Sequence, residues 1–372
     1  MARIVVNGVS AKGGGGKSVL RNLLKGLAVH GGGHCYKVLV PPQQGYEELA
    51  SDRVAISVRS DVGSLAALGR FSLLGLPREL QEVPCDLLLN TSDIVVPTMV
   101  PQLFLFDWSY AAFPDSPAWR MGSIRDRCIR RLKLQLFRRH ARYANVMMVQ
   151  TPLVGRALAN LYCIRDIEVV PNAVALENLS GGVFRDFGLG DGFKFLCLSS
   201  YYSHKNLEVF LPVARLLRER RVTAKIVITL AGGQHPAASR LLAAIAEEKL
   251  GDFVVNVGPV PMANVPSLYA QTDALLLPTL LESFSGTYVE AMFHRRPILT
   301  SDLPFAADVC GDAALYFNPC DPSEIVDAIR IIRDDESIRV GLVERGRLRL
   351  ASMPDWPTTT ARIVGIIERI LG

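Results

Sequence analysis

The stretch that decides the fold is Ala274–Asp302, ALLLPTLLESFSGTYVEAMFHRRPILTSD. It opens with the apolar run Ala274–Leu277, passes through small and polar residues, and returns to a second apolar run at Pro297–Thr300. Short continuous apolar runs are typical of parallel strands that are covered on both faces. A helical pattern between two such runs predicts a strand–helix–strand unit and therefore an α/β fold.

The same alternation continues in both directions along the chain. In the first half, the predicted strands are Ala2–Asn7, Lys37–Val40, Asp86–Leu89, Gln102–Phe106 and Val146–Val149. In the second half, the others are Phe193–Ser199, Lys225–Leu230, Phe253–Val257 and Ala314–Phe317. A glycine-rich polar stretch, Leu179–Gly192, separates the two series as a linker, and a last helical pattern covers Thr358–Leu371.

The length of 372 residues fits two domains. We predict an N-terminal domain at 1–175 and a C-terminal domain at 176–355, with the helix within 356–372 packing back on the first. Ligands of open α/β sheets bind beyond the carboxyl ends of the strands. Two such domains therefore suit a nucleotide held by one and a second substrate held by the other.

Composition limits the class of protein. The chain is 49% hydrophobic and 21% charged, as in ordinary globular proteins. Its seven cysteines are scattered without a CxxC pair, which indicates reduced thiols. No apolar run reaches the roughly 18 residues of a membrane span, and the start lacks the pattern of a signal peptide. We therefore expect a cytoplasmic protein.

The motif that carries chemistry lies between the two apolar runs of the opening stretch. Glu282 and Glu290 flank Ser285-Gly286-Thr287, whose small residues would begin a helix. The free N–H groups and positive dipole end of such a helix can hold a diphosphate. Glu290 can then accept hydrogen bonds from ribose hydroxyls, and Glu282 can reach a sugar. Taken alone, the pair also fits two surface glutamates.

This segment resembles the donor-site signature of retaining glycosyltransferase family 4. The resemblance extends through Arg296–Asp302 and Cys310–Glu324, and upstream to Leu230–Gly233 and Val257–Val260. Val169–Asn172 is similar to the interdomain segment of the family. The match covers about residues 165–335. It implies a GT-B fold, in which two Rossmann-like domains face each other across a cleft.

The resemblance also implies roles for individual residues. Glu290 would bind the ribose, Glu282 the hydroxyls of the transferred sugar, and the amides of Ser285, Gly286 and Thr287 the phosphates. The nucleotide base would meet the segment of Gly258 and Val260. Lys205 matches a phosphate-binding lysine, which would neutralise charge on the leaving diphosphate.

Two positions depart from the family pattern. Ser200 stands where an arginine is usual, so part of the cationic clamp is absent or comes from elsewhere. Phe106-Asp107 stands where many members have His-Asp. Asp107 is therefore either a sugar or acceptor contact or an aspartate that caps a turn after a strand.

A glycine loop follows the first predicted strand. Ala11–Ser18, AKGGGGKS, nearly matches the P-loop pattern, with alanine for the first glycine. The alternative it raises is an ATPase that uses Lys17 and Ser18. In family 4, such a turn instead brings backbone close to the donor, and we assign Gly14, Gly15 and Gly16 this role because glycine lacks a Cβ. A purely structural turn is the third interpretation.

Positive charge is concentrated in the first half, where residues 1–175 carry +8 and residues 176–372 carry −3. Residues 119–142 hold nine basic residues and one acid, interleaved with apolar residues at near-helical spacing. Such a helix can lie on an anionic membrane, hold a polyanionic acceptor, or pack on the core with a solvated basic face. No nucleic-acid-binding module accompanies it.

These observations predict a retaining glycosyltransferase that moves a sugar from a nucleoside diphosphate to a hydroxyl of a glycan or glycolipid, in the synthesis of a bacterial surface polysaccharide. The chain has no Asp-x-Asp motif, so no metal or other cofactor is expected. A sugar-nucleotide epimerase of the same architecture stays open as an alternative. The expected location is the cytoplasm, with the basic helix at the inner face of the plasma membrane.

Overall fold

A computed structural model describes residues 1–175 and 184–372 of the chain. It divides into two compact units. Unit 1 comprises Met1–Pro114, Ser123–Ala173 and Pro354–Gly372, and unit 2 comprises Asp115–Gly122 and Val174–Met353. The main boundaries lie two residues from the predicted ones.

Each unit contains one wholly parallel sheet, as the continuous apolar runs predict. The sheet of unit 1 has the order β3-β2-β1-β4-β5-β6-β7. Its strands are β1 Arg3–Asn7, β2 Cys35–Val40, β3 Val54–Val58, β4 Leu87–Asn90, β5 Gln102–Leu105, β6 Val146–Val149 and β7 Ile167–Val169. The sheet of unit 2 has the order β10-β9-β8-β11-β12-β13. Its strands are β8 Phe193–Cys197, β9 Ala224–Ile228, β10 Val254–Asn256, β11 Ala274–Leu277, β12 Ile298–Ser301 and β13 Ala314–Phe317.

Helices connect the strands in both units. Those of unit 1 are α1 Gly14–His30, α2 Leu65–Arg70, α3 Leu76–Glu82, α4 Ile124–His140 and α5 Pro152–Tyr162, and the C-terminal helix is α13 Trp356–Leu371. Those of unit 2 are α6 Phe210–Glu219, α7 Pro236–Glu247, α8 Val265–Ala270, α9 Gly286–Phe293, α10 Pro304–Cys310, α11 Pro322–Asp334 and α12 Glu336–Ala351. Among the described residues, no helix combines the length and the apolarity that crossing a membrane requires.

The C-terminal helix is part of the core of unit 1. Ile363 and Ile367 of α13 are buried in one apolar cluster with Leu23 and Leu27 of α1. The two helices approach so closely that a Cβ on Gly26 would lie 2.1 Å from Thr360 Oγ1. Glycine at position 26 is therefore required for this packing.

Two segments differ from the prediction. Asp115–Gly122 was expected in the first domain but belongs to unit 2, where Ser116 Oγ donates to the Leu280 carbonyl at 2.8 Å. The predicted linker Leu179–Gly192 lies partly outside the described residues. Its later part is anchored, because the amides of Arg185 and Phe187 donate to Ser267 Oγ and Gln271 Oε1 of unit 2.

Candidate functional site

The predicted donor residues of unit 2 follow the carboxyl ends of its strands. β11 ends at Leu277, and the loop after it leads to α9, which begins at Gly286 with Ser285 as its N-cap. Thr279 fixes this loop: its hydroxyl donates to the His204 carbonyl at 3.2 Å, and its own carbonyl accepts from Ser301 Oγ at 2.6 Å. The loop is thereby held against the neighbouring turn that carries Lys205.

Lys205 and Glu282 meet directly. The ammonium of Lys205 forms an ion pair with Glu282 Oε1, and both side chains are largely buried, at 17% and 13% exposure. The Thr279 hydroxyl also lies 3.2 Å from Glu282 Oε1, so its one proton is shared between this carboxylate and the His204 carbonyl. Charge-assisted bonds of this kind are strong when water is excluded. Any anion that binds Lys205 must therefore compete with Glu282 for it.

Lys205 lies in the loop that follows β8, which ends at Cys197. A short turn at Ser203–Lys205 is followed by Asn206, whose φ of +56° lies in the left-handed region that asparagine tolerates better than most residues. The buried Asn206 side chain donates to the Pro319 carbonyl at 2.8 Å. Asn206 thus stabilises the turn, and this role could not be recognised in the sequence. Ser200, at the place of the family arginine, is exposed and supplies no cation.

Glu290 lies on α9 and is buried, with 8% exposure. Its Oε2 accepts a hydrogen bond from the hydroxyl of Tyr269 at 3.4 Å. Burial raises the pKa of the Glu290 carboxyl to about 7, while the Tyr269 hydrogen bond opposes the rise. A carboxylate that titrates near neutral pH in a site is a common mark of function.

The start of α9 carries the predicted phosphate-binding residues. Ser285 is buried, whereas Gly286 and Thr287 are half-buried. The hydroxyls of Ser285 and Thr287 bond to each other at 2.7 Å, so neither caps the helix. The Tyr288 N–H donates to the Ser285 carbonyl at 3.2 Å, and among the described residues the N–H groups of Gly286 and Thr287 are left to other acceptors, as an anion site requires.

The predicted base-binding segment follows β10. Gly258 has a φ of +73°, and its N–H donates to Asn256 Oδ1 at 3.2 Å. Asn256 also bonds to both backbone groups of Leu230 and so links the ends of β9 and β10. Val260 is half-buried just beyond this turn.

The remaining predicted site residues belong to unit 1. Gly14, Gly15 and Gly16 form the exposed first turn of α1, and Gly14 has a φ of +56°. Lys17 donates to Gln44 Oε1 at 3.1 Å. Asp107 is exposed after β5 and accepts from Gln150 Nε2 at 3.3 Å. The side chain before it, Phe106, is buried.

The basic segment forms α4, and fewer of its basic side chains are exposed than the sequence suggests. The exposed basic side chains of the helix and its end are Arg125, Arg131, Arg138, Arg139 and Arg142. Arg130 is instead buried, with its guanidinium 4.9 Å from the centre of the Tyr110 ring. Ile124 and Leu132 are 73% and 62% exposed, so α4 presents both arginines and aliphatic side chains to solvent.

Comparisons with known proteins point to one family. A family model described as glycosyl transferases group 1 matches residues 192–335. A 138-residue segment is 28% identical to the O-antigen chain mannosyltransferase RfbU of Salmonella typhimurium, covering 37% of this chain and 38% of that protein. A 112-residue segment is 31% identical to the O-antigen chain mannosyltransferase B of Escherichia coli, covering 30% and 29%. The chain thus matches well under half the length of these relatives.

Solved structures resemble the whole chain in fold. Sucrose-phosphate synthase of Thermosynechococcus elongatus matches with a TM-score of 0.76 at 15% identity, covering 100% of this chain and 99% of that one. Anabaena Alr3699/HepE, in complex with UDP and glucose, matches with a TM-score of 0.72 at 17% identity, covering 99% and 100%. The two parallel-sheet units therefore have the GT-B fold, which confirms the predicted fold class.

Proposed function

We propose that the chain, whose residues 192–335 match the family model of glycosyl transferases group 1, is a retaining glycosyltransferase that uses a nucleoside diphosphate sugar. The observation that carries the proposal is the placement of Lys205, Glu282 and Glu290 after strands of this matched segment. A cation for phosphate, a carboxylate for sugar and a second carboxylate for ribose are the groups that such a donor needs.

In the proposed reaction, the bond between the anomeric carbon and the diphosphate oxygen breaks, and a bond to the acceptor hydroxyl oxygen forms as that hydroxyl passes its proton to the departing diphosphate. Negative charge grows on the leaving diphosphate. Lys205 and the N–H groups at the start of α9 stabilise that charge, which is usually the largest electrostatic demand on a transferase site. These groups make a metal ion unnecessary in this proposal.

The ion pair of Lys205 and Glu282 implies that the two side chains change partners when the donor binds. Before donor binds, Glu282 neutralises Lys205. An incoming diphosphate takes over Lys205, and Glu282 is released to accept hydrogen bonds from the sugar. A buried carboxylate left without its cation is costly, and the sugar hydroxyls lower that cost. A complete donor therefore satisfies both groups, whereas a bare diphosphate leaves Glu282 unpaired.

The proposed acceptor is a hydroxyl of a glycan or glycolipid of a bacterial surface polysaccharide. The support comes from the O-antigen mannosyltransferases among the relatives and from α4. We further propose that the exposed face of α4 holds the protein on the anionic inner face of the plasma membrane. Its positively charged arginines are attracted to that negatively charged surface, and Ile124 and Leu132 can enter the headgroup region.

The function is tested by thermal-shift screening of the full chain against UDP, GDP, ADP, CDP and dTDP, followed by incubation of the matching sugar nucleotides with glycan acceptors. We expect one base to give the largest shift, and NMR of the product to show the same anomeric configuration as the donor. An inverted product would contradict the retaining assignment. Stabilisation only by ATP with magnesium would favour the P-loop alternative.

A further inference from the structure

Glu290 is the one acidic side chain that is buried in the part of the chain the structure describes. Burial favours the neutral acid over the carboxylate. A ribose-binding carboxylate in this place needs a partner that favours its charged form and holds it in one rotamer while leaving one oxygen for the ligand.

Tyr269, at the end of α8, meets that requirement. Its side chain is 1% exposed, and its hydroxyl reaches Glu290 Oε2 at 3.4 Å and the Thr287 carbonyl at 3.3 Å. Burial holds the pKa of the phenol well above its usual value, so the hydroxyl stays a donor across the working pH range. No described residue donates to the other carboxylate oxygen of Glu290, which is left for a ligand.

Tyr269 is itself fixed from several sides. Its ring stacks on His294, with centroids 4.6 Å apart and planes at 16°. The guanidinium of Arg296 donates to the Tyr269 carbonyl at 3.0 Å. His294 and Arg296 both follow α9, the helix of Glu290, so they tie α8 to α9. A residue held at its ring and backbone gives its hydroxyl a defined direction.

The other titratable groups packed around Tyr269 and Glu290 include His294, Arg296 and Cys197. Burial lowers the pKa of His294, and the guanidinium of Arg296 donates to the carbonyls of Tyr269 and Ala270. Cys197 of β8 is buried and contributes to the raised pKa of Tyr269. Burial is the largest influence on Glu290, and the Tyr269 hydrogen bond is the one that opposes it. Tyr269 is therefore the described group that favours the charged form of Glu290 against the effect of burial.

We propose that Tyr269 is a positioning residue for donor binding: its hydroxyl holds Oε2 of Glu290 and fixes the direction of the carboxylate, so that Oε1 accepts from the ribose. This inference rests on the proposed function, because it takes Glu290 as the ribose contact. It adds a residue that no motif of the sequence marks. In the sequence, Tyr269 is one more aromatic in a short apolar helix, and such residues usually belong to the core.

The test is Tyr269→Phe, with Tyr288→Phe as a matched control. Tyr288 is 0% exposed and lies on the same helix as Glu290, but its hydroxyl bonds to Thr300 Oγ1 at 2.7 Å. Each variant loses one buried hydroxyl, and only the first loses a bond to Glu290. The affinity for UDP or GDP, whichever binds wild type more tightly, is measured by calorimetry from pH 6 to pH 9.

We expect Tyr269→Phe to raise the midpoint pH of binding by roughly half to one unit, because a neutral hydrogen bond to the carboxylate is lost. Its affinity should be about two- to fivefold weaker at pH 7 and should recover by pH 9. Tyr288→Phe should keep the wild-type midpoint. The same profile in wild type and Tyr269→Phe, or an equal loss at every pH in both variants, would overturn the proposal.

Two further measurements keep the result decisive. 3-Fluorotyrosine placed at position 269 retains the shape and donates a stronger hydrogen bond, so it should lower the midpoint even if Tyr269→Phe folds poorly. An unchanged midpoint would also overturn the proposal. Glu290→Gln separates the two hypotheses: if it leaves affinity unchanged, the ribose contact itself is wrong, whereas weak binding in Glu290→Gln with an unshifted Tyr269→Phe refutes only the role of Tyr269.

Discussion

Replacing Glu290 by glutamine should stabilise the protein while weakening donor binding. The carboxyl has a pKa of about 7 in the fold against an ordinary value of 4.5, because it is buried. The folded state therefore prefers the protonated acid. This contribution to stability is complete below pH 4.5 and is lost as the pH rises through about 7. One pKa unit corresponds to about 1.4 kcal/mol. Ionisation of Glu290 at pH 8 therefore lowers the free energy of unfolding by at most about 3 kcal/mol.

Glutamine stays neutral at every pH, so Glu290→Gln should remove this loss of stability. We expect the free energy of unfolding to rise by up to about 3 kcal/mol at pH 8 and to change little at pH 5. The affinity for nucleoside diphosphate should fall by about 1–2 kcal/mol, since a neutral amide replaces a charged acceptor. Thermal melting at the two pH values and calorimetry with UDP or GDP measure both effects.

Glu344→Gln is the matched control, because Glu344 is an exposed carboxylate of the same unit that pairs with Arg347. It should show neither the gain at pH 8 nor the loss of affinity. A Glu290→Gln variant that is no more stable at pH 8 than at pH 5, relative to wild type, would refute the burial argument. Unchanged affinity would remove Glu290 from the site.

Three other outcomes are expected. Changing Arg131, Arg138 and Arg139 to glutamine should release the protein from anionic vesicles at low salt, at about 1 kcal/mol per residue, whereas Arg130→Gln should not, because Arg130 is buried; wild type that ignores such vesicles would contradict the membrane role. Glu282→Ala should lower turnover of the sugar donor without weakening binding of the bare diphosphate, because it also frees Lys205; equal losses would argue against a sugar contact. EDTA should leave transfer intact, and loss of activity restored by a divalent cation would refute the metal-free proposal.

Much of the fold follows from apolar runs, and the failures have local causes. The predicted central strands are present, but β3 and β7 were missed, and both lie at an edge of their sheet. In Val54–Val58 only Val54 is buried, and in Ile167–Val169 no residue is. Edge strands face solvent and lack the continuous burial that makes a run recognisable.

In the candidate site, motifs within one segment could be predicted from the sequence, whereas contacts between distant segments could not. The E-x7-E motif and Lys205 could be singled out from residue types, order and family resemblance. Their pairing could not, since Lys205 and Glu282 are 77 positions apart and meet only through the order of strands β8 and β11. The support of Glu290 by Tyr269 is likewise a contact between two helices, and the burial of Arg130 depends on which face of α4 meets Tyr110.

The central claim is that a nucleoside diphosphate sugar is held by unit 2 through Lys205. The most direct test is calorimetry of the full chain with UDP and GDP, comparing wild type, Lys205→Ala and Lys17→Ala. We predict that Lys205→Ala loses most of the affinity for nucleoside diphosphate. Lys17→Ala should keep most of that affinity, because the Lys17 ammonium contacts Gln44. Magnesium-dependent ATP hydrolysis that Lys17→Ala abolishes and Lys205→Ala leaves unchanged would contradict the account and favour the P-loop ATPase.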